Sequence, residues 1–221
     1  MLDEPAFSAT PAGIVVQSYL PDSHGVLAEL GEWARRRRHG GGAPIKVRIV
    51  KGANLAMELV DAEQHGWAPA TYPTKADTDA SAKRLLDSAL RPAWADALRV
   101  GFASHNLFDV GWALSLRDRL PAASWARLEI EMLEGMVPAQ ARAVQAAAGG
   151  LLLYCPVVRA EELDASLAYL ARRFDENTTP DNFLRAMFGM RPDSAAWRDQ
   201  EARFRRAVAE RADVDTTPRR T

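Results

Sequence analysis

Short β-branched runs alternate along this chain with longer stretches whose apolar residues recur three and four positions apart, and the alternation repeats five times. The sharpest short run is residues 46–52, where Val47, Ile49 and Val50 favour an extended strand between Pro44 and Gly52. Side chains alternate across a strand, so Val47 and Ile49 take one face while Lys46, Arg48 and Val50 take the other. The other strand runs are residues 13–19, 99–104, 128–133 and 151–155. Between and after them the spacing predicts helices over residues 23–38, 53–64, 75–90, 107–120, 138–149 and 160–175. Their ends carry recognisable punctuation. Pro21-Asp22-Ser23 offers a turn and an N-cap, Asn106 can cap the helix that follows it, and Pro138 opens a helix that Gly149 closes. The first helix offers Val26, Leu27, Leu30 and Trp33 as its apolar stripe, residues 1–12 read as a loose lead-in, and the long connection over residues 66–74 has the length of a functional loop.

Five strand–helix alternations imply an α/β fold with a parallel sheet, either doubly wound or rolled as a β/α barrel. No Gly-x-Gly-x-x-Gly follows the first strand, which counts against a dinucleotide-binding Rossmann sheet. Polar residues gather where strands end (Gln17, Arg48 and Lys51, residues 104–106, Glu134, Tyr154), the distribution of chemistry in a barrel. The expected fold is therefore a partial (β/α)8 TIM-type barrel, about five of its eight units. Residues 1–188 are expected to form the C-terminal portion of that barrel and residues 189–221 a helical connector or tail.

Composition narrows the function. The 221 residues carry a net charge of −1 and a pI near 6.4, which excludes a global nucleic-acid footprint. The basic run Arg35 to Arg38 sits in the last turn of a helix, where cations complement the dipole and remain solvated. The single cysteine, Cys155, fits a reducing compartment and, inside an apolar run, reads as a small buried hydrophobe. No run has the length of a membrane span and residues 1–5 lack a signal-peptide shape, so the expected location is cytoplasmic or peripheral at the inner face of the cell membrane. The four histidines show no metal-ligand spacing, and no Gly-x-Ser-x-Gly elbow is present.

Three features could carry chemistry. Arg48 lies on the strand face opposite Val47 and Ile49, and a cation buried there needs a partner or a ligand. Barrel lysines can form Schiff bases, which brings in Lys51 at the end of the same strand, although no feature of the sequence singles it out. On the last barrel helix, Tyr169, Arg172, Arg173 and Glu176 are spaced three and four apart, and two adjacent guanidinium groups suit a carboxylate.

Residues 48–53 (Arg-Ile-Val-Lys-Gly-Ala), 102–106 (Phe-Ala-Ser-His-Asn), 132–136 (Met-Leu-Glu-Gly-Met) and 169–177 resemble successive blocks of the proline dehydrogenase family, in that family's order. The likeness is to the proline dehydrogenase barrel of bacterial bifunctional proline-utilization flavoproteins and runs over residues 13–188. The resemblance implies FAD-dependent oxidation of L-proline to Δ1-pyrroline-5-carboxylate by hydride transfer to flavin N5, with electrons passed to a quinone in proline catabolism. It implies Arg48 and Lys51 as catalytic residues, and Arg172, Arg173, Tyr154, Tyr169, Leu133 and Glu176 around the substrate. It implies Gln17, Arg48, Val50, Lys51, Gly52, Ala53, Lys75, Thr78, Ser104, His105, Asn106 and Glu176 around FAD. Residues 191–220 resemble the connector to an aldehyde dehydrogenase domain, so that domain and the missing barrel half are the implied protein partners. Asn54 and Leu55 depart from an aromatic pair that some members carry there. Two other readings compete: a barrel lyase using Lys51, and an inactive barrel fragment acting as an interaction module whose open sheet edges invite association.

Overall fold

The computed structural model describes residues 1–52, 54–178 and 182–220, the side chains of 175–178 excepted. Five strands, β1 (Ala12–Gln17), β2 (Ile45–Val50), β3 (Leu98–Ala103), β4 (Leu128–Leu133) and β5 (Leu152–Tyr154), form one sheet in the order β1-β2-β3-β4-β5. Every neighbouring pair is parallel. Sequential parallel order means that each crossover advances in the same direction. A doubly wound sheet reverses that direction and places helices on both faces. Here the buried cluster joins one face of the strands (Val47, Ile49, Val100, Ile130) to Leu27 and Ala34 of α1 (Ser23–His39), Leu85 and Leu86 of α3 (Lys75–Ala89), Val110 of α4 (Leu107–Asp118) and Val144 of α5 (Pro138–Ala148). Helices α1, α3, α4 and α5 thus cover a single face, and the winding is that of five units of a β/α barrel.

The opposite face is polar. Register sets Val15, Arg48 and Gly101 side by side, and Ala103 beside Glu131. The face partition expected of β2 is observed: Val47 and Ile49 have no exposed surface, while Lys46, Arg48 and Val50 are half-buried.

Several local expectations hold and others change. Asn106 accepts from the Phe108 N–H, and Gly149 leaves α5 in the left-handed region at φ 73°. At α1, neither Asp22 nor Ser23 caps through its side chain. The Ser23 hydroxyl instead donates to the Gln17 carbonyl, closing the β1–α1 turn. The buried stripe of α1 is Ser23, Leu27, Gly31 and Ala34, and Val26 is exposed because it lies about 100° around the helix from Leu27. Residues 1–12 are tied down rather than loose. The Arg37 guanidinium, half-buried rather than solvated, donates to the Phe7 and Ser8 carbonyls at 2.8 and 2.7 Å. The first run is a strand but not a buried one: Ile14 and Val15 are each nearly half exposed, because among the described residues β1 pairs only with β2. Cys155 is exposed, which corrects its reading as a core residue; it follows β5, the opposite edge strand, where Leu153 and Tyr154 are also exposed. The connection over residues 66–74 has a structural task, since Tyr72 is buried and its hydroxyl donates to the Asp215 carbonyl at 2.5 Å.

Helices α2 (Leu55–His65), α6 (Leu163–Thr178) and α7 (Phe183–Met187) complete the set together with α8 (Ala195–Glu210). Helix α8 packs against α3 and α4, with Trp197 and Phe204 against Phe108 and Arg211 paired to Asp87 at 2.8 Å. No described helix is long and apolar enough to cross a membrane.

One acid-sensitive contact joins α1 to α3: His24 Nε2 lies 3.0 Å from Ser81 Oγ. Burial, and then the Arg84 charge, pushes the His24 pKa from 6.5 down to about 4. The unfolded chain takes up that proton nearer 6.5, so it binds more protons than the folded chain between those values, and stability falls as pH falls. His24→Gln is expected to abolish this part of the acid sensitivity, at most about 3 kcal/mol. Urea denaturation at pH 6.5 and pH 4 reads it, and an unchanged difference between the two pH values would reject the contribution.

Candidate functional site

A cavity of about 460 Å³ opens over the polar sheet face at the C-terminal ends of the strands. Its floor comes from Val15 and Gln17 of β1, Arg48 and Val50 of β2, Ala103 of β3 with residues 104–106 beyond it, Glu131 and Leu133 of β4, and Tyr154 of β5. Lys51 and Gly52 form one rim with Lys75, and Tyr169 and Arg173 of α6 stand over it with Phe183 and Leu184 of α7.

The floor is organised by an ion ladder across three strands. Glu131 is 1% exposed; its Oε1 lies 2.7 Å from Lys46 Nζ and its Oε2 accepts from Arg48 Nε. Lys46 also reaches Glu129 at 2.5 Å. Strand β3 lies between β2 and β4, so these side chains must cross over it, and Gly101 makes that passage possible. A Cβ at Gly101 would stand 2.0 Å from Glu131 Oε1. The Tyr154 ring also packs against the Arg48 guanidinium, which lies 4.9 Å from the ring centroid. Arg48 is therefore a fixed cation on the cavity floor.

A second charged group lies under the rim. Lys51 Nζ is 2.5 Å from Asp79 Oδ1 and 2.7 Å from Asp109 Oδ2. Burial disfavours its charge, but the Asp109 and Asp79 carboxylates outweigh burial and hold the Lys51 pKa above its usual value. Asp79 is also paired to Lys75 and Asp109 to Lys83. Both carboxyl pKa values stay below the ordinary range: burial opposes this, and Lys51 with Lys75 or Lys83 overcomes it.

His105 adds a donor. Its Nε2 accepts from the Leu133 N–H at 3.0 Å, which leaves the proton of the neutral ring on Nδ1. Burial depresses the His105 pKa and favours that neutral form. Nδ1 is buried without a hydrogen-bond partner among the described residues.

Of the residues expected at the site, Gln17, Arg48, Val50, Lys51, Gly52, Lys75, Ser104, His105, Asn106, Leu133, Tyr154, Tyr169 and Arg173 line this cavity. Thr78 is buried within α3 and is not part of the lining. Arg172 is exposed and absent from the lining, because consecutive helical residues diverge by about 100° and only Arg173 shares the Tyr169 side. The expected convergence of Tyr169, Arg172 and Arg173 is thus observed for Tyr169 and Arg173, whose guanidinium lies 5.2 Å from the Tyr169 ring centroid. Ala53 and the side chain of Glu176 lie outside the described residues. Glu131, Asp79, Asp109 and Gly101 were missed by sequence reasoning. A signal existed for Gly101, since a lone glycine inside a strand run marks a close approach.

The sequence profile of the proline dehydrogenase family matches residues 1–186. Among solved structures, 99% of the chain superposes on a proline utilization A (PutA) protein from Corynebacterium freiburgense at 47% identity and a TM-score of 0.85, covering 20% of that protein. PutA from Bdellovibrio bacteriovorus, in a form inactivated by N-propargylglycine, matches 94% of the chain at 30% identity and a TM-score of 0.77, again over 20% of its own length. A Bradyrhizobium japonicum PutA at 24% identity and a TM-score of 0.75 shares the fold. The chain spans about a fifth of the length of these relatives. A search of curated proteins returned no match.

Proposed function

The chain belongs to the proline dehydrogenase family, and on that footing we propose that its cavity serves the FAD-dependent oxidation of L-proline to Δ1-pyrroline-5-carboxylate, with electrons passed on to a quinone. The observation that carries the reading is the grouping of two residue sets in one cavity: Arg48, Lys51, Lys75 and His105 at floor and rim, and Tyr154 and Leu133 on the floor beneath Tyr169 and Arg173 of α6. The first set fits a flavin dinucleotide. That cofactor is anionic and rich in acceptors, and the wall offers three cations and the unmatched His105 Nδ1–H. Arg48, with Gln17 and the backbone of residues 50–52, would hold the flavin end, and residues 104–106 with Lys75 the remainder. Bound FAD supplies a two-electron acceptor at N5. The protein's own contribution is to donate hydrogen bonds from Arg48, to bind a carboxylate through Arg173, and to exclude water from the proline ring with Tyr154, Tyr169 and Leu133.

Residues 1–188 would then be barrel and residues 189–221 a connector towards an aldehyde dehydrogenase domain. Quinone reduction would place the protein in the cytoplasm or at the inner membrane face. The competing lyase reading loses support at Lys51, because a Schiff base starts from a neutral amine and two carboxylates hold this ammonium charged. The inactive-module reading remains the outcome to test against.

The test is anaerobic. The chain is reconstituted with FAD, freed of unbound cofactor, and titrated with L-proline while the flavin absorbance is followed. Retained yellow colour that bleaches with proline is expected; colourless protein would overturn the reading in favour of the inactive module. In the same assay Arg173→Lys is expected to raise the proline concentration for half-bleaching by about ten- to a hundredfold, the cost of one charge-assisted bond, with flavin content unchanged. Equal titration curves would remove Arg173 from the substrate side.

A further inference from the structure

The chain has four lysines, Lys46, Lys51, Lys75 and Lys83, and all four are ion-paired on or beneath the cavity. Elsewhere its cations are arginines. Three of these lysines form an alternating file with two aspartates. Lys75 Nζ is 2.6 Å from Asp79, Asp79 is 2.5 Å from Lys51, Lys51 is 2.7 Å from Asp109, and Asp109 is 2.7 Å from Lys83. Each carboxylate spends one oxygen on each neighbour. A compact ammonium fits between two carboxylates in a way that a planar guanidinium does not.

The inner end of the file is unusual. Lys83 is 1% exposed and Asp109 2%, and Lys83 does not line the cavity. Its other neighbours are the Asp79 carbonyl at 3.5 Å and the rings of Phe204 and Trp112, 5.2 and 6.0 Å away, so α8 closes the file from outside. A buried pair of this kind contributes little to stability compared with apolar side chains of the same volume. What Asp109 does that an apolar residue could not is to hold Lys51.

We propose that Asp109 and Lys83 are a positioning pair: Asp109 fixes the Lys51 ammonium at the cavity rim with its charge locked, and Lys83 keeps Asp109 ionised in the core. Lys75 and Asp79 perform the matching task from the rim. The charged groups facing Lys51 are Asp79, Lys75 and Lys83 of α3 and Asp109 of α4, which with Lys51 itself make three cations and two anions. Removing Lys83 and Asp109 together therefore leaves the local net charge at +1 and takes away only one of the two partners of Lys51. That separates positioning from bulk electrostatics.

The experiment is reductive methylation with formaldehyde and a borane across a pH series, read at each lysine by peptide mass spectrometry in the full chain. Only neutral amines react, so the pH of half-modification reports how firmly each ammonium is held. Lys83→Met combined with Asp109→Leu is expected to lower that pH at Lys51 by about one unit or more and to move Lys75 clearly less, since Lys75 keeps its direct partner Asp79 and loses only the more distant attraction of Asp109. If that variant fails to fold, Lys83→Met with Asp109→Asn, close to isosteric at the carboxylate, is read in the same way. An unchanged Lys51 profile in a folded variant overturns the proposal and leaves the pair a structural one. The flavin readout rests on the function proposed above: the dissociation constant for FAD is expected to rise about tenfold. Lys51 shifting while FAD affinity stays constant would uphold the positioning pair and count against Lys51 as a flavin contact, so the two readings fail separately.

Discussion

Gly101→Val is expected to destabilise the chain by about 3–5 kcal/mol, the range for breaking a buried ion pair by displacing one partner. Gly101 lies on β3 directly beneath the bridge from Lys46 and Arg48 on β2 to Glu131 on β4. A Cβ there meets Glu131 Oε1 at 2.0 Å and Lys46 Cε at 3.1 Å, so the carboxylate must leave its cations. Glu131 is 1% exposed, whereas the arginine and lysine keep partial access to water. The cost therefore falls on an unpaired buried carboxylate. Small domains hold about 5–15 kcal/mol in total, so the variant sits at the edge of folding. Urea midpoints for wild type, Gly101→Val and Gly101→Val with Glu131→Ala measure the effect. The second change removes the clashing group and is expected to restore part of the loss. A Gly101→Val midpoint within about 1 kcal/mol of wild type would mean that the ladder is slack and that Arg48 is not fixed by it.

The same ladder explains what could and could not be read from the amino-acid order. The division of β2 into an apolar and a cationic face follows from alternation alone, and so does the presence of Arg48 on the ligand side. The partner of Arg48 lies 83 residues away and reaches it across an intervening strand. No local period encodes such a contact. Helix ends marked by short-range chemistry, as at Asn106 and Gly149, were legible because the cap and its acceptor are neighbours. Open sheet edges follow from an incomplete barrel, but the exposure they bring was not legible in the segments themselves. The runs at β1 and β5 have the composition of buried strands, yet Val15, Leu153 and Cys155 are exposed because pairing on one side only is a property of the sheet, not of the segment. The arginine pair on α6 marks a similar limit. Spacing of three and four places Arg172 and Arg173 each within reach of Tyr169, but a helix can turn only one of two consecutive residues into the cavity.

Gly52→Val is expected to prevent folding, through two penalties that a double variant separates. Gly52 has φ +123°, a backbone region that side chains other than glycine's rarely enter, at a cost of roughly 1–3 kcal/mol. A Cβ there would also stand 1.5 Å from Cδ1 of Tyr19. That ring cannot swing away freely: Tyr19 is 2% exposed, its N–H donates to the Lys51 carbonyl at 2.9 Å, and its carbonyl accepts from Tyr72. The close approach joins the turn after β1 to the end of β2, next to Lys51 on the cavity rim, so the glycine holds the geometry of the candidate site as well as the fold. Gly52→Ala with Tyr19→Ala removes the collision and keeps the dihedral strain. It also loses a buried aromatic ring, worth about 3–5 kcal/mol by itself. The decisive quantity is therefore the coupling. In a double-mutant cycle by urea denaturation, Gly52→Ala should cost several kcal/mol beside Tyr19 and only about 1–3 kcal/mol beside Ala, the residue of backbone strain. Equal costs in the two backgrounds would show that the ring gives way at no expense. Gly52 would then be required for its dihedral alone, and the rim beside Lys51 would be held by the strand rather than by Tyr19.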